Sequence, residues 1–211
     1  MEVCGIAAID LDNHTAMHLE AVQTLPEADE KLLGFYAKLL TDRKEVLQRI
    51  SNIVVVDAYF SKETFVTPLC KEGFDIVSRL RDDVRMTYLI EPVKTSKRGR
   101  TKTVGDKVDV KNLDLSYFSK VATENHQETI YTAVVKATAL KRNIRVVIVH
   151  KHKNGKPDDV KIYFSTDTAM SAEQTLEIYR TRFQIEFLYR DAKQHTGLTN
   201  CQARSRVLYT I

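Results

Sequence analysis

Two periods of apolar and polar positions run along this chain. Val3 to Ile9 is an apolar run suited to a strand, and Ala16 to Val22 alternates apolar with polar residues. With the polar stretch Asp10–His14 between them, they predict an antiparallel hairpin. After Pro26, Leu32, Leu33, Tyr36, Leu39 and Leu40 recur at helical spacing as far as Ile50. Acidic residues crowd the start of that segment and basic ones its end, which complements a helix dipole. Next comes Asn52-IVVV-Asp57, whose run of branched apolar residues predicts a central strand buried on both faces and ending on an aspartate. Residues 61–80 read as helix in two pieces around Pro68, and Met86 to Ile90 as a short strand closed by Pro92.

The texture changes at Lys94. Lys94–Lys107 is rich in Lys and Arg, holds Gly99 and Gly105, and has Val104 as its one large apolar residue. It predicts a loop or hairpin tip, either simply solvated or placed on a phosphate backbone, where clustered cations release counterions. From Val108 to Phe164 the pattern is β, with strands at Tyr131–Val135, Ile144–Val149 and Val160–Phe164. Asn154-Gly155 between the last two is a hairpin-turn signal. Ser171 with Gln174 three residues on forms a capping box, and no Gly or Pro follows until Gly197, so one helix is predicted over that span.

Composition narrows the class. Hydrophobic content of 43% with 28% charged residues describes a globular chain rather than a disordered one. No apolar run reaches the roughly 20 residues that span a bilayer, and the first residues lack the basic start of a signal peptide; a cytoplasmic setting is expected. A net charge of +4 permits nucleic-acid binding. Cys4, Cys70 and Cys201 form no zinc-type spacing and are expected to be reduced and structural. The six histidines show no metal spacing, and His150 and His152, beside a Lys-rich turn, are expected to face solvent. There is no Gly-rich phosphate loop and no local Ser/His/Asp motif.

Chemistry concentrates in the last predicted helix. Tyr179, Arg182, Glu186 and Lys193 are offset by three, seven and fourteen residues from the tyrosine, so on one α-helix they share an arc of roughly 60°. Leu176, Ile178, Phe183, Ile185, Phe187 and Leu188 fill much of the remaining circumference, which predicts a largely buried helix. A glutamate there needs a partner. Two arrangements satisfy it: a salt-bridge ladder, since Arg182 and Glu186 are i,i+4 neighbours, or a bound metal.

The pattern Y-x2-R-x3-E-x6-K, within IYRTRFQIEFLYRDAKQHTGL, resembles the signature of a large group of DDE-type transposases of bacterial insertion sequences. IVVVDAYFSK is similar to that family's strand ending in the second catalytic aspartate. The resemblance covers nearly the whole chain. It implies an α/β fold in which residues 1–92 begin an RNase H-like core, residues 93–165 form a β-rich insertion, and residues 166–211 supply the core's C-terminal catalytic helix. It implies Asp57 and Glu186 as catalytic residues and ligands of Mg2+ (or Mn2+), with Tyr179, Arg182 and Lys193 binding DNA or supporting the site. The chemistry implied is two-metal phosphoryl transfer on double-stranded DNA, at transposon ends and target, with ions about 4 Å apart. A homodimer is a possible assembly, and no membrane is involved. The family's first aspartate lies on a strand upstream of the hairpin, and its chain runs on beyond the catalytic helix, so a core truncated at both ends is expected. Asp10 and Asp12, in the hairpin turn, are not expected to replace that aspartate. A catalytically inactive DNA-binding remnant or transposition inhibitor is the alternative.

Overall fold

A computed structural model describes residues 3–24, 31–90, 104–153 and 156–195. In chain order its elements are β1 (Val3–Asp10), β2 (Thr15–Gln23), α1 (Leu32–Thr41), α2 (Lys44–Leu47), β3 (Ile53–Val55), a 3-10 turn (Ala58–Phe60), α3 (Glu63–Lys71), β4 (Asp75–Leu80) and β5 (Met86–Leu89). They continue with β6 (Val104–Lys107), β7 (Ser119–Val121), β8 (Glu128–Ala137), β9 (Arg142–Lys153), β10 (Lys156–Ser165), α4 (Ala172–Thr181) and α5 (Phe183–His195). The chain divides into two compact units, residues 25–180 and residues 1–24 with 181–211.

The larger unit is built on one mixed sheet in the order β3-β4-β10-β9-β8-β5-β6, with β7 beside β8. Only β3 and β4 are parallel; the other pairings are antiparallel. Alternation sends side chains to two faces. On one, Val77, Ile130, Val147 and Val149 pack against Met170, Ala172, Leu176, Ile178 and Tyr179 of α4 and its approach. On the other, Ile76, Leu80, Ile144, Val146, Ile148, Ile162 and Phe164 are all buried. There α3 packs beside β4 through the buried Phe65, Val66 and Leu69, and α1 packs on α3. Helices on both faces of a largely buried sheet give a layered α/β unit.

The β-rich strands between residues 104 and 165 belong to this same sheet, because β10 pairs with β9 on one side and with β4 on the other. The strands expected at 131–135, 144–149 and 160–164 lie inside β8, β9 and β10. The Asn154-Gly155 turn and residues 91–103, which hold most of the basic stretch, fall outside the described residues, as do Gly197 and Cys201.

Four expectations are corrected. Residues 75–80 form β4, not helix: Pro68 sits inside the single helix α3, which stops at Gly73 (φ +85°). There Gly73 N–H donates to Cys70 O (3.3 Å) and Phe74 N–H to Leu69 O (3.0 Å), the paired bonds of a Schellman stop. The strand before Asp57 is short and lies at the edge of the described sheet, and Ile53 is 37% exposed, because β3 is paired on the β4 side alone among the described residues. The long helical segment before it is two helices, α1 and α2, with Asp42 and Arg43 between them. His150 is buried, with Nε2 2.7 Å from Val110 O, and His152 Nε2 lies 2.9 Å from Thr129 Oγ1; both rings are held by neighbouring segments.

The smaller unit pairs the β1–β2 hairpin with α5. Asp10 closes the turn, its Oδ1 accepting from Asp12 N–H (3.0 Å) and Asn13 N–H (3.1 Å) and its Oδ2 from Asn13 Nδ2 (2.8 Å). A bulge between Ile6 and Ala7 shifts the register, so that Ile6 faces Glu20 and Ala7 faces His18.

Candidate active-site residues

Asp57 follows β3 by two residues. Val56 N–H still donates to Val77 O (3.1 Å), then the chain turns. Asp57 caps the 3-10 turn, and its Oδ1 accepts from Ala58 N–H at 2.6 Å. The turn is anchored from behind: the Phe60 ring lies 4.9 Å from Phe65 and 5.7 Å from Tyr36, and Ser61 Oγ donates to Arg79 O (2.8 Å). A fixed backbone therefore presents an exposed carboxylate, with Tyr59 half-exposed beside it.

Tyr179 belongs to the core. It is 8% exposed on α4, packs with Val77, Met170 and Ile178, and its ring is 4.9 Å from Tyr163. The capping box starts α4 as expected: Gln174 N–H donates to Ser171 Oγ (3.1 Å) and Ser171 N–H to Gln174 Oε1 (3.2 Å). The single helix expected to follow is interrupted at Arg182, where α4 has ended and α5 has not begun. The 60° arc assumed one uninterrupted helix, and α4 and α5 are two.

Arg182 Nη1 lies 2.9 Å from Glu186 Oε1, and its guanidinium sits over the Phe183 ring at 4.8 Å. The Glu186 side chain is 54% exposed. Lys193 is exposed in the last described turn. The expectation of a largely buried helix is overturned for α5. None of its residues is fully buried, and Phe183 and Phe187 stand 49% and 44% exposed, with the Arg190 guanidinium stacked over Phe187 at 4.7 Å. The half-buried side is Ile185, Leu188, Tyr189 and Ala192, spaced for one stripe along the helix. A two-stranded hairpin is narrower than a domain core, so the remaining apolar residues stay in contact with water.

Three residues that the hydrophobic pattern does not single out act at this helix. Tyr189 Oη lies 3.3 Å from His18 Nδ1, and the two rings meet edge to face with centroids 6.0 Å apart. A Cβ on Gly5 would stand 1.6 Å from Tyr189 Oη and 2.2 Å from Cζ. The available signal was the glycine inside a strand, which marks a close approach.

Asp57 and Glu186 are hard oxygen donors, each exposed and each with one oxygen engaged locally. That chemistry fits a divalent cation such as Mg2+. Among the described residues no three His, Cys, Asp or Glu are grouped to hold a metal, and no helix is long and apolar enough to cross a membrane. The family model of the transposase DDE domain matches residues 36–208, a span that contains both carboxylates and the whole eight-stranded sheet. A search of curated proteins finds no match. With the family model covering well over half of its length, the chain belongs to the transposase DDE domain family.

Proposed function

We propose that this chain is the catalytic part of a transposase that cleaves and transfers DNA strands at transposon ends by two-metal phosphoryl transfer on an RNase H-like core. The observation that carries the reading is the family match, which runs through Asp57 and Glu186. Asp57 and Glu186 are the proposed Mg2+ (or Mn2+) ligands, Glu186 within the Y-x2-R-x3-E-x6-K pattern. Asp57 and Glu186 would hold the ions, and what the ions would supply is activation of the attacking oxygen and stabilisation of the leaving one. The chain's own groups orient and neutralise. Arg182 holds one Glu186 oxygen, and with Lys193 it offers cationic charge to phosphate oxygens. Tyr179 supports the site from inside the α4 packing. The proposed partner is double-stranded DNA, in the cytoplasm, with a homodimer as the working assembly.

Strand cleavage of a matching transposon end, titrated with Mg2+ or Mn2+, tests this. Glu186→Gln and Asp57→Asn are each expected to lower the rate by about a thousandfold or more, the scale for groups that act as one unit. Cleavage that survives both changes defeats the proposal.

A second reading, DNA binding without turnover, is favoured by the Arg182–Glu186 ion pair, which engages one oxygen of a proposed metal ligand. It predicts DNA affinity that falls steeply with salt and no cleavage at any metal concentration.

A further inference from the structure

We propose that Gly5, Tyr189 and His18 form a clamp that sets the orientation of α5, and so positions Glu186. The inference rests on the proposed role of Glu186 as a metal ligand. Tyr189 is one helical turn beyond Glu186 on α5. Among the described residues of its own unit, α5 packs against β1 and β2 alone. No residue of α5 is fully buried, so the ordinary means of fixing a helix, a deep apolar stripe, is weak here. A close seating on that surface is the hydroxyl end of Tyr189 on the bare Cα of Gly5, where a Cβ would stand 1.6 Å from Oη and 2.2 Å from Cζ. The same hydroxyl lies 3.3 Å from His18 Nδ1, on the neighbouring strand. Burial raises the Tyr189 hydroxyl above its ordinary pKa, so it remains a hydroxyl through the neutral range and bonds whichever form His18 takes: it donates to a neutral Nδ1 and accepts from a protonated one.

Contact with β1 at Gly5 and a bond to β2 at His18 hold the tip of Tyr189 between the two strands, which restrains rotation of α5 about its axis and its sliding along the hairpin. Glu186 is exposed, and its one local restraint among the described residues, Arg182, belongs to the same chain turn. Its direction therefore follows the helix. Tyr189 and Gly5 are positioning residues and touch no reacting atom.

The test uses the full chain with three variants: Gly5→Ala, which displaces the ring; Tyr189→Phe, which keeps the ring and removes the hydroxyl; and the double variant Gly5→Ala with Tyr189→Ala. Amide exchange across α5 is expected to speed up by about tenfold in Gly5→Ala, the scale of local opening in a marginal element, and by less in Tyr189→Phe. The double variant is expected to match Gly5→Ala, since both changes break one contact. Mn2+ affinity, read by electron paramagnetic resonance, is expected to fall several-fold in Gly5→Ala, with kcat for end cleavage reduced and KM for the DNA end unchanged. Unchanged α5 exchange in Gly5→Ala overturns the clamp. Faster exchange with unaltered Mn2+ affinity and kcat overturns the positioning role. If Glu186→Gln alters neither Mn2+ affinity nor cleavage, the metal-ligand reading itself fails and the positioning role falls with it; the exchange data then still report whether the clamp exists.

Discussion

Arg182 and Glu186 share the only ion pair that α5 makes through its proposed catalytic residue among the described residues, and the exposure of the glutamate side chain, 54%, limits what the charge pairing adds to stability. An i,i+4 pair contributes about 0.3–0.5 kcal/mol through its charges, but the Arg182 side chain is only 16% exposed and lies over the Phe183 ring, so Arg182→Ala is expected to lower the melting temperature through lost packing more than through the lost pair. If the proposed function holds, the same change lowers end cleavage far more than stability warrants, because the guanidinium orients a metal ligand; a loss of cleavage no larger than the loss of stability accounts for would place Arg182 in a structural role only. Asp10 behaves differently. Its carboxylate accepts from the Asn13 side chain, and then from the Asn13 and Asp12 backbone, which lowers its pKa below the ordinary 3.8. A depressed carboxylate stabilises the fold above its unfolded pKa and ceases to do so as pH falls through the folded one. The turn is therefore expected to hold at neutral pH and to loosen only below about 3.8, and the Asp10 carboxyl shift followed by NMR against pH checks this. The residue pattern alone placed Asp10 in a turn. It did not expose the close approach of Gly5 to Tyr189, since a clash is a property of two segments that are remote in sequence.

At the scale of elements, the stops and starts are local and carry measurable costs. Gly73 sits at φ +85° and ends α3, a conformation that L side chains adopt with strain, so Gly73→Ala is expected to cost about 1 kcal/mol. Ser171→Ala removes half of a capping box and is expected to cost about 1 kcal/mol as well; thermal melts of both variants are the check. These features also explain what could be read from the chain. The capping box was legible because both its partners lie within four residues, and β8 to β10 because long alternating runs admit one period. Residues 75–80 are ambiguous in the sequence because Pro68 and Gly73 both punctuate, and the apolar residues around them are spaced to suit either a helix or a strand. The break at Arg182 was invisible, with no Gly or Pro near it. The two sides of that break belong to different compact units, which local propensity does not encode. The apolar run of β3 suits a central strand, yet whether a strand is central depends on what pairs with its second edge.

The continuity of the sheet has a consequence for the whole molecule. Strands from before and after residue 93 interleave, since β10 is hydrogen-bonded to both β4 and β9, and residues 25–180 form one compact unit. A β-rich stretch folded as its own body would open independently of β3 and β4; strands sharing one ladder and one buried face would open together. Val147 is the residue to use. It is fully buried on β9, pairs with Tyr163 of β10 and Thr132 of β8, and packs under Ala172 and Leu176 of α4. Val147→Ala creates a small cavity there and is expected to cost roughly 2 kcal/mol. Because β4 is joined to β9 only through β10, its amides report on cooperativity rather than on the lesion. Exchange protection of β4 is expected to fall by the same factor as that of β8 and β9, about thirtyfold for that free energy. Loss of protection confined to β8 and β9, with β4 unchanged, would show the β-rich stretch to be a separate folding body beside the carboxylate-bearing strand.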